Sequence, residues 1–329
     1  MTPLYGHEAA VAAFRAALGS GRLHHAWLLA GPEGVGKALF ADKAALRVLA
    51  EGAGPPVTAP GLDVPDDHPV AKLIAAGSHP DFVRLERLTK EGGTELARSI
   101  NVEQVRGLQR LFATTTSMSP RRAVVIDAID DLERNAANAL LKNLEEPPPD
   151  TLFLLVSHSP ERLLPTIRSR CRLLRLSPLA DDAMTSALKT ALPDADAEEI
   201  AALVQVGEGA PGRAIAWRGL DIAALDREMD SLVRQGDPSN GRRSALAGSL
   251  ALKSAQGRYE AFLARAPSRI AAAAKRRTGQ SRADAIRLWE RASSLAGSAR
   301  RHSLDPQSVV FELAGMLAAL AVGEGRDAA

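Results

Sequence analysis

Ala26-Trp27-Leu28-Leu29-Ala30, followed at once by Gly31-Pro32-Glu33-Gly34-Val35-Gly36-Lys37-Ala38 and a helical run from Leu39 to about Ala50, is the stretch that decides the fold. The apolar pentapeptide reads as a buried strand. A glycine-rich loop between a strand and a helix can cradle phosphates, because its backbone N–H groups and the helix N-terminus point at the ligand. Gly31, Gly34 and Gly36 supply the turn, and Lys37 is the residue that would hold a phosphate. The pattern asks for Ser or Thr after the lysine, to put a hydroxyl on magnesium, and Ala38 has none. Two readings stand: a degenerate nucleotide-binding loop without ability to hydrolyse, or a fossil loop kept for the turn it makes.

Upstream, Glu8 to Leu18 carries helical spacing and Gly19 to Arg22 ends it. Downstream, residues 52–80 are rich in Pro, Gly and Asp, which predicts a surface insertion or mobile loop. Asp81 to Arg87 alternates as a strand, a polar stretch runs to Ser99, and Asn101 caps a helix over Val102 to about Phe112. Behind Arg121 and Arg122, the run Ala123 to Asp127 is an apolar strand ending in an acid. In phosphate-loop NTPases that acid helps hold magnesium and a following glutamate polarises the attacking water. Here the next residue is Ala128, so two separate absences point away from hydrolysis. Asp130 and Asp131 are expected to start the next helix, Glu133 to Glu145, which Pro147-Pro148-Pro149 stops. Thr151 to Val156 is a strand, and His158 in the turn after it contacts a phosphate or serves as a cap or packing residue. A helix from Glu161 to about Ile167 and a strand from Arg172 to Leu176 complete the series. Five strands separated by helical segments predict a parallel α/β sheet.

A chain of 329 residues suggests two or three domains. Only 4% of them are aromatic, so Leu, Ala, Val and Ile must fill the cores, a mix that favours helix. The single cysteine, Cys171, excludes an intrachain disulfide and a multi-cysteine zinc site. It fits a cytosolic protein. No apolar run is long enough to cross a membrane, and the first twenty residues lack the pattern of a signal peptide. Net charge is +2, but residues 179–240 hold 12 acids against 5 bases and residues 241–301 hold 14 bases against 3 acids.

Asn135-Ala136-Ala137-Asn138-Ala139-Leu140-Leu141-Lys142, Leu144-Glu145-Glu146-Pro147-Pro148, Leu164-Pro165-Thr166-Ile167-Arg168-Ser169-Arg170-Cys171 and His25-Ala26-Trp27-Leu28 together resemble bacterial clamp-loader subunits of the AAA+ class, delta-prime type. The likeness is dense over residues 20–180 and thin beyond. It implies a RecA-like P-loop sheet domain (1–177), a small helical lid (178–219) and an all-α collar (220–329) that holds subunits together. Such loaders are rings of five subunits with ATP at their interfaces. The resemblance implies motor (gamma/tau) and delta subunits as partners, with a sliding clamp and primed DNA reached through the complex.

In that family the delta-prime member donates an arginine in trans without needing to hydrolyse ATP, and Arg170, within Ser169-Arg170-Cys171, holds its position. An exposed guanidinium there would be the chain's catalytic contribution. The other reading makes Arg168, Arg170 and Arg172 a solvated or structural basic cluster. Cys171 fits a small buried residue at an interface better than a reactive thiol. The zinc-binding cysteines of the family are missing, so no zinc is expected. Gly209-Ala210-Pro211-Gly212-Arg213-Ala214 resembles the lid motif, in which Arg213 senses nucleotide; it can equally cap its helix. Two rival functions remain: an active AAA+ ATPase in which Lys37 and Asp127 suffice, and a basic nucleic-acid-binding protein with a decayed nucleotide domain. The second would use the basic stretch, although aromatic residues for base stacking (Tyr259, Phe262, Trp289) are sparse there.

Overall fold

The computed structural model describes residues 2–89, 93, 96–302 and 304–323; residues 90–92, 94 and 95 of the polar stretch before Ser99, and the last six residues of the expected collar, lie outside them. The chain forms two compact units, residues 1–215 and 216–329.

The first unit begins with α1 (Glu8–Gly19), β1 (Ala26–Ala30), α2 (Lys37–Gly52), α3 (Pro69–Ala75), β2 (Phe82–Glu86) and α4 (Val102–Phe112). It continues with β3 (Arg122–Asp127), α5 (Arg134–Glu145), β4 (Thr151–Ser157), the short α6 (Pro165–Arg168) and β5 (Arg172–Arg175). The five strands make one parallel sheet in the order β2-β3-β4-β1-β5. All five residues of β1 and all seven of β4 are buried, as continuous apolar runs between two helical layers must be. One layer packs Trp27, Leu29, Val125, Leu154 and Val156 under α1 and α2. The other packs Leu28, Val124, Ile126 and Phe153 under α4 and α5. Helix α4 starts where its sequence signals it, with Asn101 and Gln104 forming a reciprocal capping box.

Residues 52–80 depart from the mobile loop that their composition predicts. Leu62, Val64, Val70 and Ala71 join the core, and His68 caps α3 with Pro69 in its first turn. Two cations of α2 tie the segment down. Arg47, 3% exposed, donates to the carbonyls of Ala59 (2.7 Å), Asp63 (2.9 Å) and Val57 (3.2 Å), and Lys43 pairs with the Asp63 carboxylate at 2.6 Å. A buried guanidinium with five donors can order a loop that has little periodicity of its own. The helix expected over Glu161 to Ile167 is instead a 3-10 turn at Pro160–Arg162 and the separate α6, because Leu163 and Leu164 are extended and Pro165 opens a new helix.

Helices α7 (Asp181–Ala191), α8 (Ala197–Gly207) and α9 (Pro211–Ala216) follow the sheet, with a small core of Met184, Leu188, Ile200, Leu203, Val204 and Ala214. The second unit is helical: α10 (Ile222–Gln235), α11 (Gly241–Leu250), α12 (Gln256–Lys275), α13 (Gly279–His302) and α14 (Pro306–Gly323). The mostly apolar α14 packs against all four of the others, which accounts for its lack of a polar face. Among the described residues no helix is long and apolar enough to cross a membrane.

Candidate functional site

The phosphate-type loop leaves the C-terminal end of β1 and enters α2 at Lys37, with Gly34 and Gly36 at positive φ (79° and 107°). His7 fixes the loop from outside through an Nε2 contact of 2.9 Å to the Val35 carbonyl. The lid motif closes on it: the Gly212 N–H donates to the Gly34 carbonyl at 2.8 Å, and a Cβ on Gly34 would lie 2.4 Å from the Arg213 nitrogen. Glycine at both 34 and 212 is what lets the two backbones touch.

Lys37 does not project into an open cradle. Its Nζ donates to the carbonyls of Gly31 (2.8 Å) and Pro32 (2.6 Å) of its own loop, and the residue is 3% exposed. Burial pulls its ammonium down to about 8, against the opposing pull of Glu33, Asp130 and Asp127. Arg213 reaches back to the loop, with Nη2 3.5 Å from the Glu33 carbonyl and Nη1 3.8 Å from Glu208. The structure thus brings Gly31, Gly34, Gly36, Lys37 and Arg213 together.

Asp127, at the end of β3, is already paired. The guanidinium of Arg84 on β2 lies 2.6 Å from it through Nη2, and the same group contacts Glu86 through Nε (2.8 Å) and Asp42 of α2 through Nη1. The strand register explains the convergence. Glu86 pairs with Asp127 and Arg84 with Val125, so Arg84, Glu86 and Asp127 share the sheet face that α2 covers. Nothing in the one-dimensional pattern marks Arg84 for this, since it occupies an ordinary alternating position in its strand. A magnesium ion bound to such a loop would need a hydroxyl at position 38 and a free acid at position 127. Ala38 offers none and Asp127 is engaged, so these residues do not fit the metal.

Asp130 has a different role from the expected helix start. Its carboxylate accepts from the Ser157 hydroxyl (3.1 Å) and from the backbone N–H groups of His158 (2.8 Å) and Ser159 (3.1 Å), while Asp131 pairs with Arg87 at 3.2 Å. Both acids sit in a 3-10 turn, and α5 begins after Glu133. Asp130 therefore ties the end of β3 to the end of β4 and fixes the turn carrying His158. Desolvation, and then the nearby Lys37 charge, hold the His158 imidazole below its ordinary range.

Arg170 lies in the turn between α6 and β5. It is half-buried rather than free in solvent: Nη2 pairs with Glu145 at the end of α5 (2.9 Å) and Nη1 donates to the Thr166 carbonyl (2.9 Å). Ser169 donates to the same carbonyl at 3.1 Å. Cys171 packs under the α4–α5 layer, and burial pushes its thiol up to about 12, as expected of a packing residue. Because β5 runs parallel to β1, with Trp27 opposite Arg172 and Ala30 opposite Arg175, Arg170 lies at the strand-entry end of the sheet and the phosphate loop at the exit end.

A five-stranded parallel sheet, a glycine loop at the exit of β1, an acid ending β3 two strands over with β4 between them, and a helical segment docked on the loop define a phosphate-loop protein of the AAA+ class. Residues 6–180 match the model of the family described as DNA polymerase III, delta subunit. The chain is 38% identical over 213 residues to the DNA polymerase III subunit delta' of Pseudomonas aeruginosa, a match covering 64% of this chain and 60% of that protein. It is 36% identical over 170 residues to the subunit delta' of Bacillus subtilis, covering 51% and 46%. A match to Escherichia coli DNA polymerase III subunit tau, 28% identical over 235 residues, covers 69% of this chain and 33% of that one. The chain belongs to this family of clamp-loader subunits, in its delta-prime branch. It spans about half the length of the delta' relatives it matches.

Proposed function

We propose that the chain is a non-hydrolysing, delta-prime-like subunit of the DNA polymerase III clamp loader, acting in DNA replication in the cytoplasm. In this reading it has no ATPase activity of its own and joins motor (gamma/tau) and delta subunits in a hetero-pentamer that places a sliding clamp on primed DNA. Residues 1–177 act as the AAA+ domain, 178–219 as the lid and 220–329 as the collar. Arg170 is supplied in trans to ATP on a neighbouring motor subunit, where a forked cation stabilises charge developing on the transferred phosphoryl group.

The observation that carries the reading is the position of Arg170 relative to its own loop. The strands between them put the two at opposite ends of the sheet, about 15 Å or more apart at roughly 3.3 Å per residue. That separation removes the chain's own phosphate loop as a target and favours one on another subunit. Glu145 and the Thr166 carbonyl hold the guanidinium at the surface by contacts that another anion can replace. The test is DNA-stimulated ATP turnover by the reconstituted complex. Arg170→Ala should leave assembly intact and slow hydrolysis at the site it serves by roughly 10³-fold or more, as arginine fingers do elsewhere. Unchanged turnover in an assembled complex would refute the trans role.

A further inference from the structure

Three carboxylates converge on one side chain beside the phosphate loop. Arg84 gives a different nitrogen to each: Nε to Glu86 at 2.8 Å, Nη2 to Asp127 at 2.6 Å and Nη1 to Asp42. Asp42 comes from the helix that the loop opens, Asp127 from the strand that ends in the metal-holding position, and Glu86 from the strand beside it. We propose that the Arg84 guanidinium is the resident cation of this site, standing where a divalent metal would bridge phosphate to Asp127, so that the site takes no metal.

Geometry and charge both support this. A magnesium ion binds carboxylate oxygen at roughly 2.0–2.1 Å. The Arg84 nitrogen 2.6 Å from Asp127 Oδ2 already fills a coordination position of that oxygen, and an ion on the same side would overlap it. Displacing the guanidinium would strand it among groups it now neutralises, and leaving it in place would set two cations within contact distance. Lysine would supply the positive charge but only part of the pairing, because a point charge cannot address three acids along three directions at once. The arrangement also explains why the missing hydroxyl at Ala38 is tolerated: with the metal replaced, no first-shell oxygen is needed there. The proposal deepens the non-hydrolysing half of the reading above and does not depend on Arg170.

The experiment uses the full chain, freed of metal, titrated with Mn²⁺ alone and followed by the electron paramagnetic resonance of the free ion. The wild type should show no saturable site. Arg84→Ala should leave Asp42, Glu86 and Asp127 facing one another without their cation and gain a single Mn²⁺, bound roughly tenfold or more tighter than any wild-type background. Arg84→Ala/Asp127→Asn should lose it again, and Arg84→Lys should gain much less. A saturable wild-type site abolished by Asp127→Asn overturns the proposal, as does a folded Arg84→Ala chain, checked by circular dichroism, that gains none. If Arg84→Ala does not fold, Arg84→Gln carries the same test. Because no partner or ATP is present, failure here is distinct from an unchanged turnover in the Arg170→Ala complex.

Discussion

Lys37 and Cys171 are both titratable residues whose burial has measurable consequences. Lys37 loses its proton at about 8 in the folded chain, against 10.5 ordinarily. Between those values the unfolded chain holds a proton that the folded chain has released, so this group makes stability rise with pH across that window, by up to about 1.4 kcal/mol per pH unit. Urea unfolding of wild type and Lys37→Gln at several values between about pH 7.5 and 9.5 should show the wild type gaining on the variant. A constant difference would mean that the ammonium is not desolvated. Cys171, pushed up to about 12 from 9, has a thiolate fraction near neutral pH about 10³-fold below that of an ordinary thiol. Iodoacetamide should label it orders of magnitude more slowly in the native chain than in urea; equal rates would contradict its packed placement.

Helix α2 does more than carry the lysine. Its buried face points Lys43 and Arg47 at the segment after it, and Arg47 holds three loop carbonyls and the Glu51 carboxylate (2.8 Å). Arg47→Ala removes the common donor, and unpaired polar groups cost about 1–3 kcal/mol each unless water reaches them. The loop is close enough to the surface to reopen, so the expected outcome is local: protease cleavage between residues 53 and 68 should quicken markedly while the sheet core persists. Limited proteolysis read by mass spectrometry decides it. An unchanged digestion pattern would show that the apolar anchors Leu62 and Val64 suffice alone.

In the second unit the acidic stretch of the sequence and the basic one meet. Arg265, 4% exposed, forks onto Asp226 at 2.6 and 2.5 Å, and Arg269 bridges Asp226 (3.0 Å) and Asp230 (2.7 Å), joining α12 to α10. Arg277 donates to the Leu320 carbonyl at 2.7 Å and so holds the end of α14. Part of the basic surplus is thus engaged within the unit itself, by the carboxylates of the acidic stretch and by a helix-end carbonyl, and so serves the chain's own helix bundle. Arg265→Ala removes the forked partner of Asp226 but leaves it Arg269, and should cost about 1–3 kcal/mol, whereas replacing both Arg265 and Asp226 by apolar residues of similar volume should recover part of that. Chemical denaturation of the two variants measures the difference.

The strands, their order in sequence, the phosphate-type loop, the gaps at Ala38 and Ala128 and the cap at Asn101 could all be read from the chain. Each depends on neighbours a few residues apart, where periodicity and backbone preference decide the outcome. The family could be read for the same reason, through contiguous motifs between His25 and Cys171. The partners of charged side chains could not. Arg84 meets Asp42 and Asp127 from 42 and 43 residues away, Asp130 meets the turn after β4, and Arg170 meets Glu145. Composition likewise made residues 52–80 a loose insertion, because the cations that order it belong to another element. Sequence alone therefore fixed what the site lacks, and the parallel register of the sheet under α2 decided what fills it, because only register brings Arg84, Glu86 and Asp127 onto one face.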